Sequence, residues 1–461
     1  MATFFFCGIG GIGMSAIALY LKKNGHIVKG SDRSFDMGLN QKMKQNLLNA
    51  GITLCVQDGT GVDLSVDKFV TSTAVEESIL DVKKALDLNI PILKRAEALA
   101  SVFHTFKYGI AIGGTSGKTT VTAMTGHILH CAQQKPVMIN GGIGLNRYNN
   151  EDLSNLIFDT GDVCVIESDE SDGSIELYNP YISVLTNISL DHKPLEEIRP
   201  LFERFLKRAQ KGCVINKDCL ETKSITLPES EIVSFSIEGD ASATLSVKKI
   251  EQTGNSVTFL LNNKPCSLPF IGKHNVANAL AAIGACMLMG ISIEESLKAL
   301  ESFKGTKRRL EFVGKQNDIV VIDDYAHNEE KIKASLEALK QVGKHLFVVY
   351  QPHGFAPLKL MKDGLIEMLK KELDETTSWL MLPVYYVGGT VNKSISSQDV
   401  VTPLSMDGKK AYNFENRKEV VDFIKANAHK QDVVVVMGAR DDTLSLFAQE
   451  ILNQLGENTC N

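Results

Sequence analysis

Gly113-Gly114-Thr115-Ser116-Gly117-Lys118-Thr119-Thr120 decides the reading of this chain. The stretch lies between an apolar run, Gly109–Ile112, and a helical pattern that opens at Thr119. Backbone N–H groups of a glycine turn at a strand-to-helix junction cradle phosphate oxygens. The lysine neutralises the β- and γ-phosphates, and the threonine hydroxyl is a ligand for Mg²⁺. Gly114, Thr115, Ser116, Gly117, Lys118, Thr119 and Thr120 are therefore the candidate ATP-binding residues. The strict phosphate-loop pattern wants its first glycine where Ile112 stands, so this is a shorter relative of it.

A magnesium site needs an acid. Glu167 follows the apolar strand Val163–Ile166, the place from which a strand-end carboxylate faces such a loop, with Glu170 and Asp172 close behind. Asp191-His192 follows a second strand that runs through Thr186-Asn187, and His192 is a candidate second metal ligand. The candidate metal ligands are thus Thr119, Glu167 and His192, and the candidate catalytic residues begin with Lys118, Glu167 and His192.

A second glycine loop, Gly8-Ile9-Gly10-Gly11-Ile12-Gly13, follows the strand-like Thr3–Cys7 and opens a helical pattern over Met14–Lys23. Glycines there let the backbone approach a diphosphate at a helix N-terminus. Asp32 stands about 20 residues on, at the end of the strand-like Ile27–Ser31, where an acid binds a ribose hydroxyl. A dinucleotide such as NAD and a UDP-linked substrate offer the same pyrophosphate and ribose, so the loop leaves both open.

Outward from these loops, the chain alternates apolar runs and helical patterns in the manner of parallel sheets covered by helices. Its 461 residues suggest about three domains. The expected fold is α/β: a Rossmann-like domain over 1–107, a central phosphate-loop domain with a mostly parallel sheet over 108–311, and a Rossmann-like C-terminal domain over 312–461. Strands are expected at Phe69–Thr73, Ser183–Thr186, Ile319–Ile322, Leu346–Tyr350, Leu380–Val384 and Val433–Met437, with an antiparallel ribbon from Ala243 to Pro269 packed on the central domain. A net charge of -6 gives no basic footprint for nucleic acid. No run approaches the ~18 apolar residues of a membrane span. The nine cysteines show no Cys-x-x-Cys spacing and read as reduced thiols of a cytoplasmic protein.

Taken together these residues resemble the Mur ligase family of peptidoglycan synthesis. The resemblance rests on pieces that run in the family's order: Gly8–Ser15, Gly30-Ser31-Asp32, Ser72-Thr73-Ala74-Val75, Arg95-Ala96-Glu97, the phosphate loop and Glu167–Asp172. It continues through Thr186-Asn187-Ile188 with Asp191-His192, Gly272-Lys273-His274-Asn275 with Asn278, Lys307-Arg308-Arg309 with Glu311, and Asp323-Asp324-Tyr325-Ala326-His327. Within the family the chain looks most like the members that add L-alanine to UDP-N-acetylmuramate. The resemblance implies an ADP-forming, ATP- and Mg²⁺-dependent ligase that works through an acyl phosphate. It implies that Gly8, Gly10, Gly11, Gly13, Met14, Ser15, Asp32, Ser72 and Thr73 hold the UDP-sugar. Asn275 and Asn278 would lie near the adenine, Asp324 at the ribose and Arg309, a further catalytic candidate, at the phosphates. The third domain would bring the amine, with His327, His353 and Arg440 as its candidate contacts. The plain alternatives are a helix cap for the two asparagines, a turn for Asp324 and a surface charge for Arg309.

The departures cluster in that third domain. Where L-alanine-adding members usually carry two histidines, this chain has His327-Asn328; where they show Gln-Pro-His-Arg-Tyr-Ser-Arg, it has Gln351-Pro352-His353-Gly354-Phe355-Ala356-Pro357. Both arginines are absent, and Arg440 is one candidate replacement. A different amino acid or a short peptide, as in murein peptide recycling, therefore stands beside L-alanine. An NAD-dependent oxidoreductase would leave Lys118 idle, a simple kinase or ATPase switch would leave the first domain idle, and a non-catalytic regulator would leave both idle.

Overall fold

The computed structural model describes residues 1–72, 75–148, 154–189, 194–227, 229–254, 256–386 and 393–456. The fold is α/β, with three sheets that are mostly parallel. The chain divides into two compact units, Met1–Lys248 with Ala277–Lys304, and Lys249–Val276 with Gly305–Asn461.

The first unit opens with the five strands β1 (Thr3–Cys7), β2 (Ile27–Ser31), β3 (Thr53–Cys55), β4 (Lys68–Thr71) and β5 (Ile92–Lys94), in the order β3-β2-β1-β4-β5. All pairs are parallel. Every residue of Thr-Phe-Phe-Phe-Cys in β1 is buried, as a central strand covered on both faces requires. The order reverses at β1, so the first glycine loop leaves the sheet at a switch point, where ligands of such folds bind.

A second sheet of this unit is built from β6 (Tyr108–Gly113), β7 (Val137–Ile139), β8 (Leu156–Ile157), β9 (Val163–Glu167), β10 (Ile182–Leu185), β11 (Gly212–Asn216) and β12 (Glu231–Ser236). These seven run in the order β12-β11-β10-β6-β9-β7-β8, the part of the sheet nearest the site, and among them β8 alone is antiparallel to its neighbour. β6 pairs with β9 on one side and β10 on the other. The loops after β6, β9 and β10 therefore converge at one edge, which is why the phosphate loop, Glu167 and Asn187 meet.

β13 (Leu245–Thr253) carries the chain into the second unit, where β14 (Ser256–Leu261) and β15 (Lys264–Leu268) form the expected antiparallel ribbon. Residues Lys249–Val276 fall in the second compact unit, while the first residues of β13 pair in parallel with β12 through Phe235 and Ser236. Within the second unit, the side-chain amide of Gln252 donates to the Ala338 carbonyl at 2.9 Å and its oxygen accepts from Gly272 N–H at 2.9 Å. The main sheet of this unit contains β16 (Glu311–Gln316), β17 (Ile319–Asp324), β18 (Leu346–Gln351), β19 (Thr377–Met381), β20 (Ala411–Asn413) and β21 (Val433–Gly438), ordered β16-β17-β21-β18-β19-β20. The strand expected at Leu380–Val384 lies three residues earlier. Pro383 has no N–H to give to a ladder, so the apolar run cannot stay in the sheet through it.

Candidate functional site

Gly113 ends β6, and the helix Lys118–Cys131 starts at the lysine itself. The loop between them is stapled from β10. Thr186 donates its hydroxyl to the Ser116 carbonyl at 2.6 Å, Asn187 Oδ1 accepts from Ser116 N–H at 2.9 Å, and its Nδ2 donates to the Ser116 carbonyl at 3.0 Å. The Asn187 carbonyl takes the Thr115 N–H at 3.1 Å. These bonds fix the loop with its helix N-terminus free to meet an anion. Gly117 has φ +87, and a Cβ there would stand 2.4 Å from Asn278 Oδ1. Asn278, expected near the adenine, is thus packed against the phosphate loop. Asn275 lies inside the helix Lys273–Leu288 and donates its side-chain amide to the Ile271 carbonyl at 2.9 Å.

Lys118 is mostly buried. Its ammonium donates to the Gly114 carbonyl at 2.7 Å and to Glu170 Oε2 at 2.6 Å, and Glu170 is only 5% exposed. Asp169 stands beside this pair. Its carboxyl is held below the ordinary range: burial opposes this, but Lys118, the Ser171 N–H and hydroxyl, and Arg95 outweigh it. Glu170, Asn187 and Arg95 were named in the sequence without a role. The signal was there, since a polar Thr-Asn directly after an apolar strand has no reason to sit at the end of a core strand unless something there needs hydrogen bonds.

Glu167 ends β9 and bridges the first turn of the helix Lys118–Cys131 and the segment at Gly141. Oε2 accepts from the Thr119 hydroxyl at 3.1 Å and Oε1 from Gly141 N–H at 2.7 Å. A hydroxyl and a carboxylate this close are hard oxygen donors, a set that fits Mg²⁺ completed by phosphate and water. His192 lies outside the described residues, as does Thr73. Among the described residues no cluster of three or more His, Cys, Asp or Glu could hold a metal by itself. Glu167→Ala is expected to raise the magnesium concentration needed for half-maximal rate by about tenfold or more. Rate measured against Mg²⁺ concentration checks this, and an unchanged curve would place the metal elsewhere.

The first glycine loop opens onto the same region. Gly13, Arg95 and Leu99 from the N-terminal sheet line a cleft of about 290 Å³ with Asn140, Gly141, Glu167, Asp169, Ser174 and Tyr178. Arg95 lies 3.7 Å from Asp172. The sequence-predicted residues here divide in two. Gly13 faces the cleft, whereas Met14 and Ser15 are buried, and the Ser15 hydroxyl bonds Ile12 and accepts from Asn155 Nδ2 at 3.1 Å. Asp32 turns its carboxylate to Gly10 N–H at 2.8 Å and to Ser34 N–H at 2.9 Å, shaping the loop from below. Ser72 is half-buried just after β4.

Comparison with known proteins agrees with this geometry. Residues 3–107 match the model described as Mur ligase family, catalytic domain, 112–286 the Mur ligase middle domain, and 308–440 the Mur ligase, glutamate ligase domain. The UDP-N-acetylmuramate–L-alanine ligase of Hydrogenobaculum sp. (strain Y04AAS1) is 34% identical over 95% of this chain and 95% of its own. The chain belongs to the Mur ligase family. The enzyme of the same name from Agrobacterium fabrum is 32% identical over 95% of this chain and 94% of its own. Among solved structures, the UDP-N-acetylmuramate-alanine ligase of Thermotoga maritima superposes with a TM-score of 0.80 at 25% identity, covering 98% of this chain and 99% of that one. A murein peptide ligase from Psychrobacter arcticus shares the fold, with a TM-score of 0.70 at 23% identity over 99% of each chain. As a Mur ligase the chain is an ATP-dependent ligase acting on small molecules. No helix among its described residues is long and apolar enough to cross a membrane.

The second unit of this Mur ligase holds the remaining candidates. Arg309 lies over the Tyr325 ring, its guanidinium carbon 5.0 Å from the centroid, and Arg308 occupies the same ring at 4.9 Å. Asp324 is buried and accepts from Leu310 N–H at 3.2 Å, from Tyr325 N–H at 2.9 Å and from the Ser335 hydroxyl. Burial raises its carboxyl above the ordinary range. His327 and His353 meet edge to face, with centroids 5.1 Å apart. Arg440 follows β21 in a left-handed conformation, φ +62, with an exposed side chain.

His327 sets a pH dependence. Burial first, then the charges of Lys331, His353 and Arg309, lower it to about 3, against the opposing pull of the Tyr325 carbonyl. Nδ1 lies 2.8 Å from that carbonyl, which can only accept, so the neutral ring carries its proton on Nδ1. Below about pH 6.5 the unfolded chain takes up a proton that the folded site refuses. This contribution to stability is complete above pH 6.5 and is lost as pH falls toward about 3. His327→Gln is expected to flatten the fall in Tm between pH 7 and about 4.5. Thermal unfolding of both proteins across that range checks it, and parallel curves would contradict it.

Proposed function

We propose that this Mur ligase joins L-alanine to the carboxylate of UDP-N-acetylmuramate, in the cytoplasm, with ATP and Mg²⁺. The observation that carries the reading is full-length kinship, 34% identity over 95% of the chain, to an enzyme of that name. The cleft supports it, because it sets the first glycine loop and Glu167 on one cavity, where a UDP-sugar acid and a nucleotide phosphate would meet. We assign the N-terminal residues 1–107 to the UDP-sugar, 108–311 to ATP and 312–461 to the amine.

A carboxylate does not acylate an amine unaided, because its oxygen is a poor leaving group. In the proposed route a carboxylate oxygen attacks the γ-phosphorus and ADP leaves. The amine nitrogen then attacks the acyl carbon, a proton leaves the nitrogen, and inorganic phosphate departs as the tetrahedral intermediate collapses. Lys118 neutralises charge that develops on the transferred group, while the stapled loop holds its N–H donors in place without rearrangement. Thr119 and Glu167 would hold Mg²⁺, which when bound offsets phosphate charge. Arg309, Asn275, Asn278 and Asp324 keep the nucleotide roles that the resemblance assigns them.

A phosphate-release assay with UDP-N-acetylmuramate against a panel of amino acids and short peptides tests the reading. L-Alanine is expected to give the highest kcat/KM. A preference for a peptide would move the chain to the murein-recycling activity. Micromolar NAD binding without UDP-sugar binding would overturn the assignment altogether.

A further inference from the structure

The second unit raises a problem of charge that the sequence leaves open. On the reading above, which this inference rests on, the amine arrives with a carboxylate, and a carboxylate leaving water needs a cation. Positions 354 and 357 are glycine and proline. His327 is held neutral by its surroundings and offers no charge.

The structure places a different cation beside this turn. Tyr325, His327 and His353 form a run of rings with centroids 5.4 and 5.1 Å apart. Two residues beyond His353, Phe355 meets Tyr386 edge to face at 5.6 Å. The two segments are tied by Tyr385 N–H to the Pro352 carbonyl at 2.8 Å. Lys393 lies over both rings, its Nζ 4.9 Å from the Tyr386 centroid and 6.0 Å from that of Phe355. Among the described residues it makes no ion pair, and its side chain is exposed.

We propose that Lys393, seated on Phe355 and Tyr386, holds the carboxylate of the incoming amino acid. An aromatic seat positions an ammonium without neutralising it and leaves N–H donors for an anion. Two other cations of this unit near its strand ends are already engaged. Arg417 is held by Asp441 at 2.7 Å, and Arg308 is buried with its guanidinium on the Gly438 carbonyl at 2.7 Å. Arg309 lies over Tyr325, and Arg440 stands in solvent after β21. A lysine on a flexible stem binds as a point charge rather than as a fork, so this pocket accepts α-amino acids with less demand on carboxylate orientation than an arginine pair imposes.

Steady-state phosphate release with ATP and UDP-N-acetylmuramate tests the assignment, with L-alanine and L-alaninamide as amines. Lys393→Gln is expected to raise the KM for L-alanine about tenfold to a hundredfold, with the KM for ATP and for the UDP-sugar unchanged. Its preference for L-alanine over the uncharged amide falls by the same factor, and Lys393→Arg restores most of both. An unaltered KM in Lys393→Gln overturns the proposal, as does a rise that follows Arg440→Ala instead. If the wild-type enzyme releases no phosphate with any amine, the reading it rests on falls as well. If the wild type is active and Lys393→Gln matches it, only this assignment falls.

Discussion

Lys118→Ala is expected to reduce amine-dependent ATP consumption by about a thousandfold or more, equivalent to about 4 kcal/mol of lost transition-state stabilisation. The lysine sits at the head of the helix Lys118–Cys131 on a loop that four hydrogen bonds from Thr186 and Asn187 hold still. Its ammonium is held in place by the Gly114 carbonyl and Glu170, and a positioned charge in a partly buried site cannot be replaced by water at equal effect. The same substitution also takes the ammonium 2.6 Å away from Glu170, a carboxylate that is 5% exposed. Removing one partner of a buried pair destabilises through the charge left behind. Two causes of inactivity must therefore be separated. The double variant Lys118→Ala with Glu170→Gln removes that charge, so its Tm is expected to recover most of any loss while its rate stays low. Recovery of rate along with Tm would mean that Lys118 acts through packing alone.

The sequence made the phosphate loop legible because its chemistry is local. Glycines, lysine and threonine at fixed spacing after an apolar run specify turn, charge and helix start together, and the helix begins within one residue of the expected place. The parallel strands were legible for a similar reason, since a five-residue buried run such as Thr3–Cys7 has few other uses. Pairing across the chain was not legible. Nothing in Asp32 says whether its carboxylate meets a ribose or its own loop, and the structure turns it to Gly10 and Ser34. Nor does spacing reveal that Glu170 rather than Glu167 meets Lys118, because both follow one strand and only the fold decides which side each faces. The ribbon at 256–268 shows the same limit: its hairpin pattern was clear, but nothing in its spacing says that Gln252 beside it bonds the Ala338 carbonyl.

Gly114→Ala is expected to be nearly as damaging as loss of the lysine, and for a reason that involves no charge. Gly114 has φ +134, a region that residues with a Cβ rarely enter, and the added carbon would stand 2.0 Å from Thr186 Oγ1 and 3.1 Å from the Asn187 carbonyl oxygen. Those groups cannot step aside cheaply. Thr186 is bonded to Ser116, and the Asn187 carbonyl to Thr115, so yielding to the methyl group dismantles the staple that shapes the loop. Overpacking and backbone strain together cost about 2–5 kcal/mol. A Tm lower by several degrees should accompany an ATP consumption reduced by about a hundredfold or more. Gly290→Ala separates the two contributions. Gly290 also has positive φ, +86, but a Cβ there meets nothing within 4 Å, so it carries the backbone cost alone. It lies just past the end of the helix Lys273–Leu288, away from the loop. Gly290→Ala is therefore expected to lose some Tm and keep its rate, whereas Gly114→Ala loses both. Equal rates in the two variants would mean that the close approach of Thr186 and Asn187 to the loop is not what holds its phosphate-binding shape.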